Sequence, residues 1–202
     1  FILSNKVVGW LLVNNYNGNI LKQKRGINMR NIEITNGCSE DAPSIAALIY
    51  ETEEYPEHEW GPYSKEKIIK KLEELVRVKG NRYSYDRTRV IKIDNKVVGV
   101  LLTLRGDEIR RLTYVTYFKF IEFDKSFKNI VSNVRGILEY LFFKECNKNE
   151  YYIANLAVDR EYREFGIGKR LLKEAESLAK EKGYNKISLL AKDRTIVRYY
   201  KK

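Results

Sequence analysis

The sequence predicts an α/β (α+β) fold, with a mixed sheet flanked by helices, from three observations. Amphipathic helical patterns alternate with short β-branched runs. Two such runs in "TRVIKIDNKVVGVLLTL" turn at Asp94-Asn95 and read as a hairpin. A strand, "YYIANLAV", a helix and a second strand, "NKISLLA", succeed one another with a short loop. That order is a βαβ unit, so these two strands should be parallel.

The elements run in chain order. Residues 1–28 carry Lys6, Lys22, Lys24 and Arg25 with no acid, and the only methionine is Met29. Two readings stand: an appended segment before a start at Met29, or a β-hairpin around the Asn-Gly of "NNYNG". Arg30 to Thr35 alternate like a strand. A first helix comes next, with Ser39 as cap, acids in the first turn and Ile45, Leu48 and Ile49 on one stripe. "EYPEHEWGPY" reads as a loop. "SKEKIIKKLEELVRV" reads as a second helix, capped by Ser64, with Ile68, Leu72 and Leu75 inward. The hairpin comes next. Residues 106–150 are the least legible. Helical spacing links Ile130, Val134, Ile137, Leu138, Leu141 and Phe142, while the Tyr- and Phe-rich stretch before them stays ambiguous. The βαβ unit closes the pattern. No repeat or low-complexity tract is present.

At 44% apolar and 12% aromatic, the 202 residues suffice for a packed core. No apolar run approaches the roughly 20 residues of a spanning helix; the nearest, Val7 to Val13, contains Gly9. No signal-peptide pattern is read either. Cys38 and Cys146 have no short spacing and read as free, buried thiols of a cytoplasmic protein. His58 is the only histidine, which argues against zinc, and no metal site is expected. Set among acids in "PEHEW", it reads as a surface residue rather than a catalytic one. The net charge of +11 is spread along the chain, much of it alternating with glutamate on helix faces. This argues against a nucleic-acid partner and for solvated helix surface.

The stretch that carries chemistry is "VDREYREFGIGKRLL". Leu171, Leu172, Ala175, Leu178 and Ala179 make one apolar helical face, and Gly183 ends it. The helix therefore starts at about Ile167 or Gly168. Its first N–H groups have no intrahelical partner, and its dipole places about half a positive charge there. Gly166 and Gly168 allow close approach, and Arg160, Arg163, Lys169 and Arg170 add cations. These are the makings of a di- or polyphosphate pocket. A P-loop does not fit, because positions 163 and 170 are arginine. A dinucleotide fingerprint does not fit, because Leu171 stands where a third glycine or alanine is needed and "NKISLLA" ends without an acid. The plain alternative is a strand–helix turn that needs glycine for its backbone alone.

"LAVDREYREFGIGKRLLKEAESLAKEKGY" resembles the acetyl-CoA motif of the GNAT acyltransferase superfamily, whose signature is Arg/Gln-x-x-Gly-x-Gly/Ala. Here it reads Arg163, Glu164, Phe165, Gly166, Ile167, Gly168, and the flanks and element order agree from about Arg30 onward. The resemblance implies a mostly antiparallel sheet with a central parallel strand pair, flanked by helices. It implies a domain over 29–202 that stops short of the family's two last strands; the hairpin reading of residues 1–28 would supply them, and the appended-segment reading would not. It implies acetyl-CoA as co-substrate, its pyrophosphate on the backbone from Arg163 to Gly168. The pantetheine arm would pair with Leu156, Ala157 and Val158, a fixed N–H there polarising the thioester carbonyl. Tyr200 matches the family's general acid for the leaving thiolate, with a packed aromatic as its other reading and Tyr199 adjacent. Asp193 stands for the family's usual Asn, and Ser188 for a glutamate base.

The activity so implied is direct transfer of acetyl to a primary amine in a ternary complex. The acceptor would be a small molecule or a protein amino group, and a homodimer is compatible with the pattern. The acceptor side would be the acidic, aromatic loop with Glu51, Glu53, Glu54, Glu57, Glu59, Tyr55, Trp60 and Tyr63; a solvated acidic loop is the plainer reading. The rival function is an acetyl-CoA-binding module with weak catalysis, suggested by Ser188, Asp193 and the short end. A basic nucleic-acid-binding protein ranks below both.

Overall fold

The computed structural model describes residues 32–53, 56, 60–142 and 144–189. The expectations for residues 1–28, His58, Asp193, Tyr199 and Tyr200 lie outside them.

The hairpin forms as read. β2 (Thr88–Ile93) and β3 (Lys96–Arg105) are antiparallel, and both turn residues, Asp94 and Asn95, have positive φ (50° and 62°). Asp and Asn tolerate that region better than other side chains, and two successive positive φ values match the twist of a hairpin. β1 (Ile34–Asn36) pairs with β2, and β4 (Tyr151–Val158) pairs antiparallel with β3. β5 (Ile187–Leu189) pairs parallel with β4. The sheet order is β1-β2-β3-β4-β5, antiparallel except for the last pair. The fold class is thus mixed α/β, mostly antiparallel, as expected. The first strand is shorter than the alternation suggested and shifted by a residue at its end.

Strand β3 is buried from Val97 to Leu104, which places it between two apolar layers. On one face lie α1 (Ala42–Tyr50) and α2 (Lys65–Arg77), contributing Ile45, Ile49, Ile68, Leu72 and Leu75. Ser64 caps α2 as expected, accepting from the Lys67 N–H. Ser39 does not cap α1. It opens a 3-10 turn, Ser39–Asp41, and hydrogen-bonds Glu40; the helix begins beyond it at Ala42, with Pro43 in its first turn. Asp41 takes the capping role over the turn instead, accepting from the Cys38 N–H and Sγ and pairing with Lys92 Nζ at 2.7 Å. On the other face lies α5 (Ile167–Glu181), contributing Ile167, Leu171, Ala175 and Leu178.

The ambiguous stretch before residue 127 is α3 (Ile109–Phe123), which leads into α4 (Phe127–Leu141). Its Tyr, Thr, Val and Phe content favours strand by propensity. Burial overrides that preference: Leu112, Thr113, Thr116 and Phe120 face inward at helical, not alternating, spacing. A buried ion pair holds the region to the core. Arg82 forks onto Glu145, Nη1–Oε1 and Nη2–Oε2 both 2.8 Å, and also donates to Thr113. Both cysteines are free but half-buried rather than buried. Among the described residues no helix is long and apolar enough to cross a membrane.

Candidate functional site

The motif lies between β4 and α5. β4 is buried throughout and delivers its end to the site. Leu156 and Val158 turn toward α5, Ala157 toward α1, so all three present backbone, not side chains, along the strand edge. The register with β3 slips between Asn155, opposite Leu102, and Ile153, opposite Thr103, leaving Ala154 as an extra residue. Such a bulge bends a strand and re-aims the residues beyond it. Asn155 uses the changed direction: its Nδ2 donates to Thr52 Oγ1 at 2.8 Å, and Thr52 donates to the Ile49 carbonyl at 2.6 Å, tying β4 to the end of α1. Periodicity does not reveal a bulge, so this link was not legible in the sequence.

Beyond β4 the chain makes a 3-10 turn, Arg160–Tyr162, capped by Asp159, whose carboxylate accepts from the Glu161 N–H. Lys96 Nζ sits 2.9 Å from Asp159 and, with that turn's hydrogen bonds, holds its carboxyl below the usual range despite burial. The loop then carries two left-handed residues, Glu164 (φ 73°) and Gly166 (φ 76°, ψ 10°). Between them Phe165 is buried and anchors the loop in the core. Gly166 is the N-cap of α5, and no atom lies within 4 Å of where its Cβ would be. A left-handed residue before the right-handed Ile167 points successive N–H groups into one concavity, an anion nest at a helix N-terminus. Gly168 is buried in the first turn.

A glycine outside the motif sets the position of this nest. A Cβ on Gly99 of β3 would lie 2.9 Å from Ile167 Cγ2 and 3.3 Å from Leu171 Cδ1. The first turn of α5 therefore rests directly on the β3 backbone, opposite Val158. The signal in the sequence was a lone glycine inside a strand, which marks close backbone approach.

The four cations separate. Arg163 Nε donates to the Val158 carbonyl at 3.1 Å and locks the loop to the strand. Burial, then the neighbouring Arg160 charge, push its pKa down, against the pull of Glu51 and Asp159. Arg160 is directed to Glu51, with Nη2 2.6 Å from Oε2, and Lys65 flanks the same carboxylate at 3.6 Å. Arg170 Nη1 reaches the Ile32 carbonyl at 3.4 Å. Lys169 is exposed beside Gly168. Thus Arg163 is committed to the strand, Lys169 is the exposed cation next to Gly168 in sequence, and Arg160 belongs to a bridge between the motif loop and Glu51 beyond α1.

On the acceptor side, Trp60 is a core residue, packed against Tyr83 at 5.4 Å and Phe120 at 4.8 Å between ring centroids. Tyr63 donates to Asp124, and the ammonium groups of Lys67 and Lys71 lie over its ring. Of the aromatics expected to face an amine, these two are committed to packing. Ser188 is half-buried on β5, opposite Tyr152.

The family model described as "Acetyltransferase (GNAT) family" matches residues 45–202. Among solved structures, the chain resembles one described as an acetyltransferase: 24% identity, TM-score 0.62, covering 84% of this chain and 85% of that one. It also resembles an N-acetyltransferase from Staphylococcus aureus Mu50: 22% identity, TM-score 0.56, covering 78% and 80%. Among curated proteins none matches. With the family model spanning β2 to β5, the bulged strand and the glycine nest among them, the chain belongs to the GNAT family of acetyltransferases.

Proposed function

We propose that the protein is a cytoplasmic acetyl-CoA-dependent N-acetyltransferase that moves acetyl to a primary amine by direct transfer in a ternary complex. The observation that carries this reading is the nest at the start of α5, with Gly166 left-handed and open to approach, after a bulged β4. The residues present fit the co-substrate. Backbone N–H groups from Arg163 to Gly168 suit a pyrophosphate, and Lys169 and Arg163 add positive charge. The edge of β4 at Leu156, Ala157 and Val158 suits an extended pantetheine arm as an added pseudo-strand. Acetyl-CoA, when bound, supplies an activated thioester. A backbone N–H of β4 stabilises charge developing on its carbonyl, and the amine attacks after losing its proton to water. Tyr200 gives its proton to the departing thiolate.

Release of free thiol is the assay, run with acetyl-CoA and a panel of primary amines. Amine-dependent release, reduced roughly 100-fold or more in Tyr200→Phe, is expected. Acetyl-CoA binding without release for any amine would favour the binding-module reading, which Ser188 in place of a glutamate base supports.

A further inference from the structure

Helix α4 packs with its polar side inward. Asn129, Asn133 and Tyr140 are buried, and a Cβ on Gly136 would lie 2.9 Å from the Tyr117 ring. Directed contacts fix this rotation. Asn129 Nδ2 donates to the Phe120 and Asp124 carbonyls (3.0 and 2.6 Å), capping the end of α3, and Asn133 Nδ2 donates to the Asn129 carbonyl at 2.8 Å. Rolling its other side into the core would carry Asn129 away from the Phe120 and Asp124 carbonyls, whereas the Asn133 bond lies within α4 and turns with the helix.

The other side is apolar. Phe127, Val131, Val134, Leu138 and Leu141 are 82%, 50%, 46%, 54% and 46% exposed, and Phe142 beyond the last turn is 92% exposed. Their steps of four, three, four and three are the spacing of a coiled-coil seam, with half-buried Ile130 and Ile137 on its flank. The seam is nearly symmetric about Val134. A two-fold axis there sets Phe127 against Leu141, Val131 against Leu138, and Val134 against itself. Such a patch is complementary to its own copy, which is what an isologous interface requires. The exposed area of these six residues is roughly 800 Å² per copy, about half of a standard stable interface and above the largest patch of a typical monomer.

We propose that α4 is a homodimer interface, two copies pairing their α4 helices antiparallel across a two-fold axis at Val134. The inference is independent of acetyl transfer.

The test is sedimentation velocity of the full chain over a concentration series at about 0.15 M salt, where the charge of +11 is largely screened. The wild type should sediment as a dimer. Val134→Glu and Leu138→Glu should each raise the dimer dissociation constant roughly 30-fold or more, with unchanged circular dichroism because neither side chain is in the core. Val134→Cys should form an intermolecular disulfide on mild oxidation, whereas Lys173→Cys, exposed on α5, should not. A monomer at every concentration, covered by other residues of its own chain or by nothing, would overturn the proposal. So would a dimer that both glutamates leave intact, or a Val134→Cys dimer that does not cross-link.

Discussion

The β4–α5 unit and the α3–α4 hairpin are both helix-bearing, yet they are held by opposite means. In β4–α5 the apolar side chains face in, from Leu156 and Val158 to Ile167, Leu171 and Ala175, and the polar groups at the start of the helix are backbone N–H groups. Around α3–α4 the directed contacts are made by buried polar side chains, Arg82 with Glu145 and with Thr113 of α3, and Asn129 of α4 with two carbonyls, while α4 turns its apolar side chains out. Apolar burial is non-directional, so the first unit needs one geometric device, a left-handed glycine, to aim its helix. Polar contacts are directional, so the second unit gains orientation from them at the cost of desolvating ions.

The largest effect should come from the ion pair. Arg82→Met leaves Glu145 buried without this partner, for a loss of about 3–5 kcal/mol, or roughly 10 °C in Tm. The Arg82→Met/Glu145→Leu double variant should recover most of that loss in thermal denaturation. If single and double variants lose equally, packing and not charge holds the hairpin. The corresponding break in the other region is Gly99→Val. It forces α5 from the sheet, for about 1–3 kcal/mol, and should lower acetyl-CoA affinity in calorimetry even where the protein remains folded. Affinity unchanged by Gly99→Val would detach the nest from the β3 contact.

A smaller loss, about 1–2 kcal/mol, is expected for Asn129→Ala in chemical denaturation, since it removes the side-chain donor to the Asp124 carbonyl and one of the two donors to the Phe120 carbonyl at the end of α3. The smallest effect is on pH dependence. The hydrogen bond from Tyr63 holds Asp124 well below the usual carboxylate range, and burial, then Asp124, push Tyr63 up to about 12. A depressed carboxyl contributes stability above its unfolded pKa and loses it as pH falls. A raised phenol contributes below about pH 10 and loses it as pH rises toward 12. Asp124→Asn should therefore show a shallower fall in stability than the wild type between about pH 5 and pH 3. Equal slopes would remove the pair from the account.

The same contrast explains what was legible. The helix after the glycines, the Asp94-Asn95 turn and the parallel β4–β5 pair arise from local residue demands, and all three stand in the structure. Helix α3 was obscured because Tyr114 to Phe118 favour strand locally and only long-range burial selects helix. The apolar spacing of α4 was visible, but its outward direction depends on Asn129 and Gly136, whose partners lie on α3. At the site, the Arg160–Glu51 bridge and the Ala154 bulge join residues from separate elements, which no window of sequence brings together.

The proposed function requires the nest at Gly166 to hold the phosphates of acetyl-CoA. Calorimetric titration of the wild type and of Gly166→Trp with acetyl-CoA tests it most directly. The indole enters open space, so the fold should persist with a modest fall in Tm from backbone strain at positive φ. The account predicts micromolar binding by the wild type and none by the folded variant. No binding by the wild type, or equal binding by both, would contradict it.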